Sequence, residues 1–185
     1  MDQHSAGRQG PEPAWARECG FVTLDASPVP DQQGAVDRQA ILDTVARYHW
    51  CVDERDTSTL ASLFTEDSEL TGSIAGAVAL GPVRGRDAVQ EWIRSLPAWS
   101  VQGAQRRHCS FNPVVTRYDG KTSEVASYLL LVSTGAAGTQ LLTTGFTRFS
   151  LARQTDGRWL IYGYFVGLDA VVPDPVAPAG NGERA

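Results

Sequence analysis

Cysteine, histidine and clustered positive charge are all scarce in this sequence. Three cysteines, Cys19, Cys51 and Cys109, stand at irregular spacing in 185 residues. An odd count without a CxxC pair excludes a disulfide framework and a thiolate metal knuckle, and fits a reduced, cytoplasmic setting. His4, His49 and His108 are the only histidines, and no HxH or HExxH occurs, so no metal triad is expected. No GxGxxG follows a strand and there is no Walker loop, so no cofactor is expected either. The formal net charge is −5, from 16 basic and 21 acidic residues, without a dense Lys/Arg block. Such a field repels polyphosphate and argues against a nucleic-acid partner. No apolar run approaches the ~20 residues of a membrane helix. Residues 1–13 lack the apolar core of a secretory signal.

What is present fits one globular domain. Apolar residues make up 42% and charged residues 20% of the chain. Residues 1–35 are rich in Gly, Pro, Gln and Asp and read as a flexible leader, in which Phe21 to Leu24 could pack as an arm. Residues 173–185 read as a disordered tail. The folded unit is expected over 36–172.

Its first half has helical period. From Asp37, a candidate N-cap, Ile41, Val45, Tyr48 and Val52 form an apolar stripe. Thr57 or Ser58 can cap a second helix carrying Leu60, Leu63 and Phe64. A third begins near Asp87, carries Val89, Trp92, Ile93 and Leu96, and stops at Pro97. The second half changes period. Four β-rich segments, about 105–118, 122–134, 139–153 and 158–170, are joined at Asp119-Gly120-Lys121, Gly135 to Gly138 and Asp156-Gly157. Gly-containing joints between such runs signal hairpins and an antiparallel meander. Segments this long exceed the usual ~5–6 residues and must twist or bend at bulges. The expected fold class is α+β: a cone-shaped barrel of three helices on a curved four-stranded antiparallel meander, with an interior pocket. Tyr128 to Val132 is apolar without alternation, which places one face toward the pocket and the other toward a second copy in a homodimer.

Several side chains suit chemistry. His108 can move a proton near neutrality, and it falls in strand register with Ser110 and Asn112. Asp53, at the end of an apolar helix, could pair with it or with His49 four residues before. Tyr48 lies on the apolar stripe, as a core residue or a hydrogen-bond donor to a ligand. On an ideal helix Tyr48 and Asp53 are turned roughly 140° apart. Tyr162 and Tyr164 should share a strand face. Phe64, Trp92, Phe111, Asn112, Tyr128, Phe146 and Phe165 are candidate ligand contacts, or plain core. Arg106 or Arg107 could hold an acidic group or stay solvated at the edge.

Four stretches carry a resemblance: Ala46-Arg47-Tyr48 with Asp53 five residues later; Leu60 to Asp67; Gly85-Arg86-Asp87; and Arg107-His108 through Asn112. Over about 37–170 the chain resembles the SnoaL-like polyketide cyclase and dehydratase branch of the nuclear-transport-factor-like superfamily, which includes ketosteroid isomerase and scytalone dehydratase. The resemblance implies His108 as general acid or base, Asp53 orienting its ring, and Tyr48 hydrogen-bonded to a substrate oxygen. It implies a cofactor-free lyase, isomerase or cyclase for an apolar polyketide- or steroid-like molecule. Two alternatives stay open: a cyclase that works by shape on a pericyclic closure, and a non-catalytic ligand-binding or accessory dimer.

Overall fold

The computed structural model describes residues 14–25, 29–96, 104–136 and 138–172. In chain order these form α1 (Trp15–Glu18), α2 (Gln32–Glu54), α3 (Thr57–Ser62), β1 (Phe64–Ile74), β2 (Val78–Arg84), α4 (Arg86–Ser95), β3 (Gln105–Tyr118), β4 (Thr122–Gly135), β5 (Gly138–Arg153) and β6 (Trp159–Leu168). The expected α+β class holds, with helices on one curved sheet. The sheet has six strands rather than four, ordered β2-β1-β6-β5-β4-β3. The meander β3 to β6 is antiparallel throughout, and β1 joins β6 in parallel. The extra hairpin β1–β2 begins where the second helix was expected to continue. That helix stops at Ser62, and Phe64 opens a strand.

Helix starts also differ from expectation. The Asp31 carboxylate caps α2, accepting from the Gly34 N–H at 2.7 Å, so the helix begins five residues before Asp37. Asp37 lies inside the helix and is buried, with its carboxylate accepting from Tyr118 Oη at 2.6 Å and Gln33 Nε2 at 3.0 Å. Asp56, rather than Thr57 or Ser58, caps α3 through the Thr59 N–H at 3.0 Å. Pro97 lies outside the described residues.

The α2 stripe Ile41, Val45, Tyr48 and Val52 is buried against the inner face of the sheet, where Val125, Leu129, Phe149, Leu151, Ile161 and Tyr164 complete the core. Alternation along β4 puts Val125, Ser127, Leu129 and Leu131 inward and Tyr128 outward. Along β6 a bulge breaks this rule. Ser150 pairs Gly163 while Leu151 pairs Ile161, so Tyr162 is the extra residue. Tyr164 is therefore buried while Tyr162 is exposed, and the two do not share a face as simple alternation predicts.

The outer face carries a second cluster. Trp15 from α1 packs edge-on against Phe146, and Phe21 stacks on Phe165 at 4.3 Å between ring centroids. Trp15 Nε1 donates to Asp169 Oδ1 at 3.0 Å. Among the described residues no helix is long and apolar enough to cross a membrane.

Candidate functional site

Helix α2 lies across the inner face of β3, and its C-terminal end is tied to that edge strand by polar contacts. Gln105 Nε2 donates to the Asp53 carbonyl at 3.0 Å, and Arg107 pairs with Glu54 at 3.0 Å. Between the two elements opens a cleft of about 360 Å³. Its helix side is lined by Leu42, Val45 and Ala46, with Trp50, 68% exposed, at the surface. Asp53, His108 and Ser110 also line it. A mostly apolar concavity with a few converging polar groups is the usual form of a small-molecule site.

Asp53 holds His108 at two points. Asp53 Oδ2 accepts the His108 backbone N–H at 2.8 Å, and Oδ1 lies 2.6 Å from the ring Nδ1. Both side chains are largely buried, at 8% and 17% exposure. A carboxylate can only accept, so Nδ1 carries the hydrogen, and in the neutral ring Nε2 holds the lone pair. Fixing both the strand backbone and the ring holds the imidazole in one orientation, an arrangement able to accept a proton. The same carboxylate gives positive charge on the ring a partner once a proton is taken.

Tyr48 does not share this cleft. Its ring lies in the core, 4.8 Å from Tyr164 and 5.2 Å from Phe149 between centroids. Burial, then the adjacent Tyr164 hydroxyl, push its phenol well above the usual range. The turn of roughly 140° between positions five apart on a helix explains the separation: Tyr48 faces the sheet centre and Asp53 faces β3.

The aromatic candidates also distribute away from the cleft. Phe64 is core, and Trp92 is a half-buried residue of α4 packed on that core. Phe111 and Tyr128 face outward, paired at 5.8 Å and exposed. Phe146 and Phe165 lie on the outer face beneath Trp15 and Phe21. Asn112 has φ of 52°, at a register break between Phe111 and Val114, so it leaves the alternation that begins with His108. Arg107 is engaged with Glu54.

The fold brings to the site two groups that were not among the expected site residues. His49 lines the cleft four residues before Asp53 on α2, and its ring lies 6.2 Å from that of His108. Its i,i+4 spacing from Asp53 offered a pair between the two, which the structure does not form, since both Asp53 oxygens go to His108. Ser110 donates to Ser127 Oγ at 2.8 Å, and Ser127 shares a 2.8 Å hydrogen bond with Thr147 Oγ1, a hydroxyl ladder across three strands. Each serine and threonine sits in a different segment, and register alone aligns them. Among the described residues no group of three or more His, Cys, Asp or Glu side chains could hold a metal ion.

A family model, SnoaL-like domain, matches residues 33–164. Among solved structures, a protein from Catenulispora acidiphila in complex with S-DNPA is 23% identical, with TM-score 0.62, over 73% of this chain and 95% of that one. ActVI-ORFA from Streptomyces coelicolor is 21% identical, with TM-score 0.61, over 72% of this chain and 98% of its own. An NTF2-like protein with a cystatin-like fold from Novosphingobium aromaticivorans is 18% identical, with TM-score 0.58, over 76% and 92%. No curated protein matches the chain. The structural likenesses show the fold, and with the matched segment spanning helix α2 through strand β6, the chain belongs to the SnoaL-like domain family.

Proposed function

We propose that this protein binds an apolar small molecule, polyketide- or steroid-like, in the cleft between α2 and β3. There the Asp53–His108 pair moves a proton, so the protein acts as a cofactor-independent lyase, isomerase or cyclase. The observation that carries this reading is the two-point clamp of Asp53 on His108, which leaves Nε2 unclaimed beside an apolar cleft. His108 Nε2 takes a proton from an acidic C–H or O–H of the ligand and returns it to a developing oxyanion or leaving group, while Asp53 faces the imidazolium. General acid–base transfer of this kind contributes about 10²–10⁴-fold. Tyr48 has no part in it, because its ring is committed to the core.

A probe that reports only proton abstraction tests this without knowledge of the substrate. In 5-nitrobenzisoxazole, removal of the ring C–H breaks the N–O bond and gives a coloured cyanophenolate. The unaltered chain is expected to accelerate this elimination over buffer. His108→Ala should lose about 10²-fold or more, and Asp53→Asn a smaller factor, with circular dichroism unchanged. Full rate in His108→Ala with the fold intact would sink the proposal.

We also propose a homodimer through the outer face of the sheet, where Phe111 and Tyr128 stand exposed.

A further inference from the structure

The cleft presents two polar side chains that the proton transfer does not use. Ser110 follows His108 by two residues on β3 and so shares its face. Its hydroxyl hydrogen is committed inward to Ser127, which is itself bonded to the fully buried Thr147. A hydroxyl has one hydrogen and two lone pairs. With the hydrogen spent on Ser127, Ser110 Oγ turns acceptor lone pairs toward the cleft that it lines.

His49 approaches from the helix side. It is 5% exposed and lines the same cleft. Among the described residues no side chain partners either ring nitrogen, and the Val45 carbonyl one turn earlier is near enough to favour its proton. Burial, reinforced by the neighbouring His108, lowers its pKa to about 4, so the ring is neutral at pH 7 and carries one donor and one acceptor. A buried polar group without a full partner is unfavourable, and a ligand that supplies the partner removes that cost. A half-turn about the Cβ–Cγ bond exchanges the ring nitrogens with ring carbons at no change of shape. Both nitrogens are shielded from solvent as the ring stands, so a ligand group meets one only after such a turn. Leu42, Val45, Ala46 and Pro113 make the rest of the lining largely apolar, Arg107 being paired with Glu54.

We propose that Ser110 and His49 form a second contact point that reads a hydroxyl group of the ligand beside the position on which His108 acts. The natural ligand is thus an apolar ring compound with a hydroxyl near its reacting centre, and a bare hydrocarbon skeleton is discriminated against. This rests on the cleft being the ligand site, but not on any particular reaction.

Two probes of one shape test it: 1-naphthol, and 1-methylnaphthalene in which a methyl replaces the hydroxyl. Each is titrated into the full chain and followed by backbone NMR signals. The unaltered chain is expected to prefer 1-naphthol, and the preference should fall about five- to tenfold in Ser110→Ala and in His49→Phe. A preference that survives either substitution overturns the assignment for that residue. Should His49→Phe fail to fold, the ring ¹⁵N signals of His49 in the unaltered chain replace it. They should move with 1-naphthol and stay put with 1-methylnaphthalene, and the absence of that difference removes His49 from the site. If neither compound perturbs the His108 and Ser110 signals of the unaltered chain, the cleft as ligand site falls, and this inference with it.

Discussion

Within one turn of α2 the same fold buries a satisfied imidazole's partner and an unsatisfied imidazole. Asp53 spends both oxygens on His108, whereas His49, four residues earlier, has no side-chain partner for either nitrogen among the described residues. Burial first, and then the nearby His108, depress the His49 pKa to about 4, with Asp53 pulling the other way. In the unfolded chain a histidine titrates near 6.5. The unfolded state therefore binds more protons than the folded state between those values. Stability is full above about pH 6.5 and falls as the pH drops toward 4, by roughly 2–3 kcal/mol at the lower end. His49→Phe keeps the ring in its contacts with Tyr48 and Phe149 but has nothing to protonate. Urea titrations at pH 7 and pH 4.5 should show a smaller acid loss in His49→Phe than in the unaltered protein. Equal losses would show that His49 does not titrate as a buried neutral group.

At the scale of elements, α2 is fastened to β3 at two places about 24 Å apart along the helix axis. One is the Asp53–His108 clamp and the other is Asp37 with Tyr118. The cleft lies along the span between them, where Leu42, Val45 and Ala46 supply short apolar side chains. Burial alone would raise the Asp37 carboxyl, but hydrogen bonds from Tyr118 and Gln33 and the charge of Arg153 outweigh it and hold it below its usual range. The Tyr118 phenol is pushed up to about 12, chiefly by the same hydrogen bond. A carboxyl depressed in the folded state stabilises above its unfolded pKa, and that contribution is lost as the pH falls through the folded value. Tyr118→Phe should therefore cost about 1–2 kcal/mol at neutral pH and bring acid unfolding to a higher pH, both readable by denaturant melts. The four long strands were legible because glycine joints and period-two patterning mark them. The hairpin β1–β2 was not, since Thr65-Glu66-Asp67-Ser68-Glu69 is polar and breaks the apolar alternation, and Gly81-Pro82 reads as a loop. Pairing with β6 overrides that local signal, with Gly72 at the crossing: a Cβ there would stand 2.7 Å from the Val166 carbonyl oxygen. The juxtaposition of Asp53 with His108 came from family likeness. Local pattern gave neither that pairing nor the hydroxyl ladder, because the first is set by the packing of α2 on β3 across 55 residues of sequence and the second by strand register across 17 and 20.

For the molecule as a whole, the two faces of the sheet have different work. The inner face carries the core and the cleft. The outer face is divided between an aromatic cluster already covered and one left open. Trp15 lies over Gly167 and Gly76, where side chains would intrude on its ring, and with Phe21 it shields Phe146 and Phe165. Truncation of Trp15 to alanine should cost about 3 kcal/mol, measured as a lower denaturation midpoint, and it should uncover Phe146. Beside this seal, Phe111 at 42% and Tyr128 at 58% exposure stand as a ring pair on adjacent strands, with Val114 also exposed on β3. Exposed aromatic groups on a sheet face are what an interface core is built from. A second copy meeting this face about a twofold axis would set Tyr128 against its own counterpart or against Phe111, the self-complementary contact of such a dimer. Phe111→Glu with Tyr128→Glu would bury four like charges at that contact, two from each copy. Sedimentation equilibrium should then report a dimer for the unaltered chain and a monomer for the double variant, and a dimer that persists in the double variant would place the subunit contact elsewhere on the surface.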